Sequence, residues 1–247
     1  MRRLQHGRTA EGRDVQVEIW SDVVCPWCAI GKRRFEAALA GFEHREDVEV
    51  RWRSFELDPT APRSVPGGAT RRLADKYGVS LEQARAMQQR VVDAGAGEGL
   101  SIRYDVAKPG RTVDAHRLLH LAADRGVQGA VKERLLLAYF TEGEPIADVP
   151  TLVRLAGEAG LDPAEAAAVL DSDAYTAEVR ADEAQARALG IRGVPFFVVD
   201  RRFGVSGAQP AEALLEVLRK SWAEAHPRAV VATGEAGQTC SDDRCAM

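Results

Sequence analysis

The chain has 247 residues, 45% of them hydrophobic and 28% charged, with a formal net charge of −4. That length suffices for one large domain or two smaller ones around a well-buried core. Acids and bases are interspersed, which leaves no electrostatic footprint for nucleic acid. No apolar run approaches the roughly 20 residues that span a bilayer. The basic start, Met1 to Arg8, lacks the apolar stretch of a signal peptide. Neither nucleic acid nor membrane is therefore expected as a partner, and the expected location is the cytoplasm.

In chain order, Val15 to Trp20 alternates like a strand, and Ile30 to Leu39 has helical spacing. Between them lies Cys25-Pro26-Trp27-Cys28. Two thiols three residues apart at a strand-to-helix junction can close a small, reversible disulfide. Unpaired backbone N–H groups and the helix dipole favour an anion at that point. This predicts Cys25 as the attacking nucleophile, with a pKa below the free value of about 8.5. Pro26 fits the first helical position, where no N–H is needed. Cys28, one turn on and more buried, is predicted to resolve the mixed disulfide. Asp22 is close enough in sequence to oppose the thiolate. Trp27 is expected either to line the substrate groove or to pack on neighbouring helices.

Val48 to Leu57 alternates strictly and reads as a second strand, stopped by Asp58-Pro59. Strand, helix and strand in about 45 residues predict a right-handed βαβ unit with parallel strands. A Pro- and Gly-rich loop from Pro62 to Gly68 follows, and then helical patterning: 70–77, 81–94, 113–125, 129–141, 149–159, 163–170 and 174–189. Within that block, His116 and His120 share a helix face at i, i+4, a spacing that can chelate a metal. No third ligand accompanies them, so packing or solvation is the expected role. Gly95 to Gly99 resembles a phosphate loop only superficially; it follows a helix and reads as a flexible connection. Strand character returns at Val194 to Asp200, with a turn at Arg201-Arg202 and a strand at Phe203 to Ser206, an antiparallel hairpin. Pro210 to Ala225 is a final amphipathic helix.

The order βαβ, helices, ββα predicts an α/β protein: a thioredoxin fold with a large all-helical insertion between its βαβ and ββα halves. Residues 15–60 and 190–225 would form the discontinuous thioredoxin-like domain, and 61–189 the helical insertion subdomain. Residues 226–247 would be a mobile tail holding the second cysteine pair, Cys240 and Cys245. Fifteen residues of tail reach up to ~50 Å when extended. Those thiols could exchange with Cys25–Cys28 and are expected to relay electrons or tune that pair. Alternatively, all four cysteines could hold zinc in an interaction module. The strand–CxxC–helix context favours redox chemistry.

Ser21 to Cys28 with Gly31-Lys32 resembles the FrnE-like branch of the DsbA family. Thr112 to Leu118, Gly193-Val194-Pro195-Phe196-Phe197 and Ser206 to Pro210 extend the resemblance over roughly residues 15–225. It implies dithiol oxidoreductase activity on disulfide-containing or dithiol protein substrates. It implies no bound cofactor, since the cysteine pair is the redox group, and an external thiol such as glutathione or thioredoxin as electron donor. It also implies that Pro195 is cis and packs on the redox pair, and that Val194 offers its backbone to an extended substrate, with Pro26 and Trp27 beside it. The branch is similar to kappa-class glutathione transferases and 2-hydroxychromene-2-carboxylate isomerases, which carry a serine where this chain has its cysteine pair. That departure favours disulfide exchange over a glutathione-dependent transferase or isomerase acting on a small organic molecule.

Overall fold

The computed structural model describes residues 15–227. Its elements are β1 (Val15–Ser21), α1 (Pro26–Ala40), β2 (Val48–Ser54), α2 (Gly68–Tyr77), α3 (Leu81–Gly97), α4 (Val113–Asp124) and α5 (Gln128–Leu137). There follow α6 (Val149–Glu158), α7 (Pro163–Leu170), α8 (Thr176–Ala188), β3 (Phe196–Val199), β4 (Phe203–Ser206) and α9 (Ala211–Ala225). The sheet has the order β2-β1-β3-β4; β1 runs parallel to β2 and antiparallel to β3, and β3 pairs antiparallel with β4. This is the expected thioredoxin fold, with helices α2 to α8 inserted between its halves. The tail cysteines Cys240 and Cys245 lie outside the described residues.

β1 is an interior strand with one apolar face and one that carries Gln16, the Arg53-paired Glu18 and Trp20. Val15, Val17 and Ile19 pack with Phe35 and Phe42 below and with Leu214 and Leu218 of α9. Trp20 turns to the other face, against Ala186, Ile191 and Val198. The inserted helices share a larger core around Leu118, Leu121, Leu135, Leu152 and Leu155, which reaches Val23, Ala29 and Ile30 beside the cysteine pair. Helix starts follow the local chemistry: Ser80 and Gln83 form a reciprocal capping box on α3, and Asp148 and Asp162 cap α6 and α7.

Three boundaries differ from the sequence pattern. β2 ends at Ser54 rather than Leu57, because the following N–H groups leave the ladder for side chains: Glu56 N–H meets Glu183 at 3.4 Å and Leu57 N–H meets Asp22 Oδ2 at 2.8 Å. α3 continues through Gly95 to Gly97, since Ile102 packs where a Cβ on Gly95 would stand, 2.7 Å away. The hairpin turn centres on Asp200 and Arg201, both at positive φ (49° and 56°). Asp200 is held there by Gln16 N–H at 2.7 Å and by the Ser221 hydroxyl.

Candidate active site

Cys25 caps the N-terminus of α1 in extended geometry (φ −91°, ψ 113°), with Pro26 at the first helical position. Its Sγ lies 3.5 Å from the carbonyl oxygen of Val194. The Val194–Pro195 bond is cis. Gly31 fits under Pro195: a Cβ there would stand 2.8 Å from Pro195 Cγ. That close approach explains why a glycine sits inside α1. Cys25 is 4% exposed and Cys28 1%; both are free thiols. Cys25, Pro26, Trp27 and Val194 line one cleft of about 600 Å³, whose far wall comes from α2 and α3. Trp27 is 42% exposed. Trp27 lines the cleft beside Cys25 and is not buried against the inserted helices.

The charge distribution reverses one expectation. Cys25 is pushed well above the ordinary thiol value, first by its hydrogen bond to Cys28, then by burial and the repulsion of Cys28 and Asp22. Burial also works against a Cys28 thiolate, yet the hydrogen bond from Cys25 and the charge of Lys132 outweigh it, and the Cys28 pKa is lowered. Of the two sulfurs, the inner one is therefore the more readily ionised, with the buried Lys132 ammonium among the causes. Helix position alone predicted the outer sulfur; the Cys25–Cys28 hydrogen bond and burial act the other way, and Lys132 adds to the effect on Cys28. Of the two sulfurs, it is Cys25 and not Cys28 that lines the cleft.

Behind the pair, Asp22 is 1% exposed. Its Oδ2 accepts from Leu57 N–H, and its Oδ1 lies 3.2 Å from His116 Nε2. Burial raises the Asp22 pKa, but the His116 hydrogen bond and charge turn the net shift downward. The carboxylate is ionised and the His116 Nε2–H donates to it. His120 instead meets Ser54 Oγ at 3.1 Å and Asp182 at 3.2 Å. The two histidines therefore serve separate carboxylates and do not converge on a ligand.

Sequence reasoning missed Lys132. Its side chain is fully buried, its Nζ has no hydrogen-bond partner among the described residues, and it stands 5.5 Å from the Trp52 ring centre. Burial lowers its pKa, while Cys28, Asp22 and Cys25 oppose that shift. A signal existed: Lys132 lies on the same helical face as Leu135 and Leu136, where an apolar residue belongs.

The sequence model of the DSBA-like thioredoxin domain matches residues 16–219. The chain belongs to the DsbA-like thioredoxin domain family. Its chemistry is that of a thiol–disulfide oxidoreductase, as the family and its structural relatives indicate. A probable DsbA oxidoreductase from Streptomyces coelicolor is 46% identical, with a TM-score of 0.82 over 92% of this chain and all of that one. The uncharacterized Bacillus subtilis protein YwbO is 31% identical over 65% of this chain and 74% of its own length. The cytosolic disulfide reductase DsbM from Pseudomonas aeruginosa, solved with GSH, shares the fold at 20% identity and a TM-score of 0.60, covering 83% of this chain and 98% of that one. Among the described residues no helix is long and apolar enough to cross a membrane.

Proposed function

We propose that this DsbA-family chain reduces or isomerises disulfides of protein substrates through Cys25 and Cys28, acting in the cytoplasm. The observation that carries the reading is a pair of free cysteines whose outer sulfur lines a cleft beside the cis Val194–Pro195 bond, while the pKa of the inner one is lowered with help from Lys132. As the Cys25 sulfur attacks a substrate disulfide, its proton passes to Cys28, and one substrate sulfur leaves as thiolate. The departing thiolate then takes the proton from Cys28. Cys28 attacks the Cys25 sulfur, the Cys25–Cys28 disulfide closes, and the second substrate sulfur is released. Two electrons move from the pair to the substrate.

Val194 supplies backbone to the extended substrate once its carbonyl is released by Cys25, and Pro26 and Trp27 flank the bound segment. A glutathione- or thioredoxin-like thiol returns the electrons; that DsbM is described as a cytosolic reductase, solved with GSH, agrees with such a donor. Cys240 and Cys245 act as a second pair that relays electrons to the first. Unchanged activity and potential in a Cys240→Ser/Cys245→Ser variant would contradict that role.

The test of the main reading is dithiothreitol-driven insulin reduction by wild type, Cys25→Ser and Cys28→Ser, with zinc content measured on the same samples. Activity in zinc-free wild type and its loss in Cys25→Ser is the expected result. Inactivity of the wild type would overturn the reading, and co-purifying zinc would then favour a metal-binding role for the cysteines.

A further inference from the structure

The walls of the cleft around Cys25 carry charge that disulfide exchange alone does not require. Arg72, Lys76, Arg90 and Arg192 line it, against the single carboxylate of Asp58. Asp58 is already paired with Arg72 at 2.7 Å. Lys76, Arg90 and Arg192 make no salt bridge among the described residues, Lys76 feeling Asp58 only through space, and all three are exposed. The chain as a whole has more acids than bases, 37 against 33, so three cations without a salt bridge around one cleft are a local feature and not a product of composition. They come from both banks: Lys76 on α2 and Arg90 on α3, Arg192 two residues ahead of Val194.

A second observation points the same way. Gln88 on α3 also lines the cleft, is 6% exposed, and accepts the Thr70 hydroxyl on its Oε1 at 2.8 Å. That bond fixes the amide orientation, and leaves the Nε2 hydrogens without an acceptor among the described residues. A buried donor in a native protein normally has a partner. Here the missing one is an oxygen.

We propose that this cleft selects protein segments whose reacting cysteine lies among acidic side chains, with Lys76 and Arg90 holding carboxylates on one side, Arg192 on the other, and Gln88 donating to an acceptor on the same segment. The inference rests on the disulfide-exchange reading and adds its substrate class. Cations on both banks match carboxylates on both sides of the cysteine; glutathione carries a carboxylate at each end too, so the comparison with activated glutathione separates an extended segment from a small anionic thiol. Like-signed groups along a cleft with apolar walls focus the field and speed the capture of opposite charge.

The test uses the reduced full-length chain and synthetic peptides, identical except for Glu, Gln or Lys on both sides of one cysteine, each activated as the neutral 2-thiopyridyl disulfide. Glutathione activated in the same way is run alongside. Release of thiopyridone gives the second-order rate at about 20 mM and about 500 mM salt, between which the screening length falls severalfold. The Glu peptide is expected to react roughly tenfold or more faster than the Lys peptide at low salt, with the gap closing at high salt. Arg90→Glu/Arg192→Glu is expected to invert the order. The salt series on wild type carries the test even if that variant folds poorly. Equal peptide rates, with reaction still dependent on Cys25, would overturn the proposal and leave disulfide exchange standing. Activated glutathione matching the Glu peptide while the peptides do not differ would assign the cleft to a small anionic thiol and overturn it as well. No Cys25-dependent reaction with any probe would overturn both readings.

Discussion

Asp22 and Lys132 bring opposite charges into the same buried space behind the cysteines, and their effects on the pair oppose each other. The Lys132 ammonium stabilises the reduced, thiolate-bearing state. In Lys132→Met the disulfide form is therefore favoured, and the potential should fall by roughly 30 mV, equivalent to about 1.4 kcal/mol, read by equilibration with a glutathione buffer. The same substitution removes a buried charge with no hydrogen-bond partner, so stability to urea should hold or rise. An unchanged potential would mean that the ammonium does not act on the pair. Asp22 is held below its ordinary value of 3.8. A depressed carboxyl contributes stability above its unfolded pKa and loses it as the pH falls through the folded one. Wild type should therefore lose stability below about pH 4, and Asp22→Asn should flatten that part of the urea-stability profile. Removing the negative charge should also bring the Cys25 pKa down, a change measurable by thiolate absorbance.

Among elements, α1 matters for how it meets Pro195. Gly31→Ala puts a methyl 2.8 Å from the proline ring. The expected cost is about 1–3 kcal/mol in urea denaturation. Displacing Pro195 from Cys25 should also lower kcat/KM for insulin between about 10- and 100-fold. The element order and the CxxC junction were legible in the sequence because strand alternation, helix caps and the Pro26 position are local signals. The Gly31–Pro195 contact and the Asp22–His116 pair were not, because each joins residues far apart in the chain. The expected depression of the Cys25 pKa failed because the helix terminus is a local signal, whereas the hydrogen bond to Cys28 and the burial that raise it exist only in the packed fold.

At the scale of the whole molecule, the inserted helices serve as a surrogate strand for the open edge of the sheet. The Gln128 amide both accepts from Trp52 N–H and donates to Trp52 C=O, each at 2.9 Å. Midway along α8, Asp182 accepts Ser54 N–H at 2.8 Å and pairs with Arg53 at 2.9 Å. An edge strand normally presents such groups to other chains; here they are used to fix the insertion over the redox pair. Gln128→Ala should cost roughly 2–4 kcal/mol, since it leaves two buried backbone groups unpaired. Wild type should unfold in one transition with coincident tryptophan-fluorescence and circular-dichroism midpoints. Separate midpoints would mean that the insertion and the sheet fold independently. The account as a whole rests on Cys25 being the attacking sulfur and Cys28 the resolving one, and trapping tests that most directly. Cys28→Ser, mixed with a disulfide-bonded protein and digested under non-reducing conditions, should yield a stable mixed disulfide on the peptide containing Cys25. An adduct confined to Cys240 or Cys245, or none at all, would contradict it.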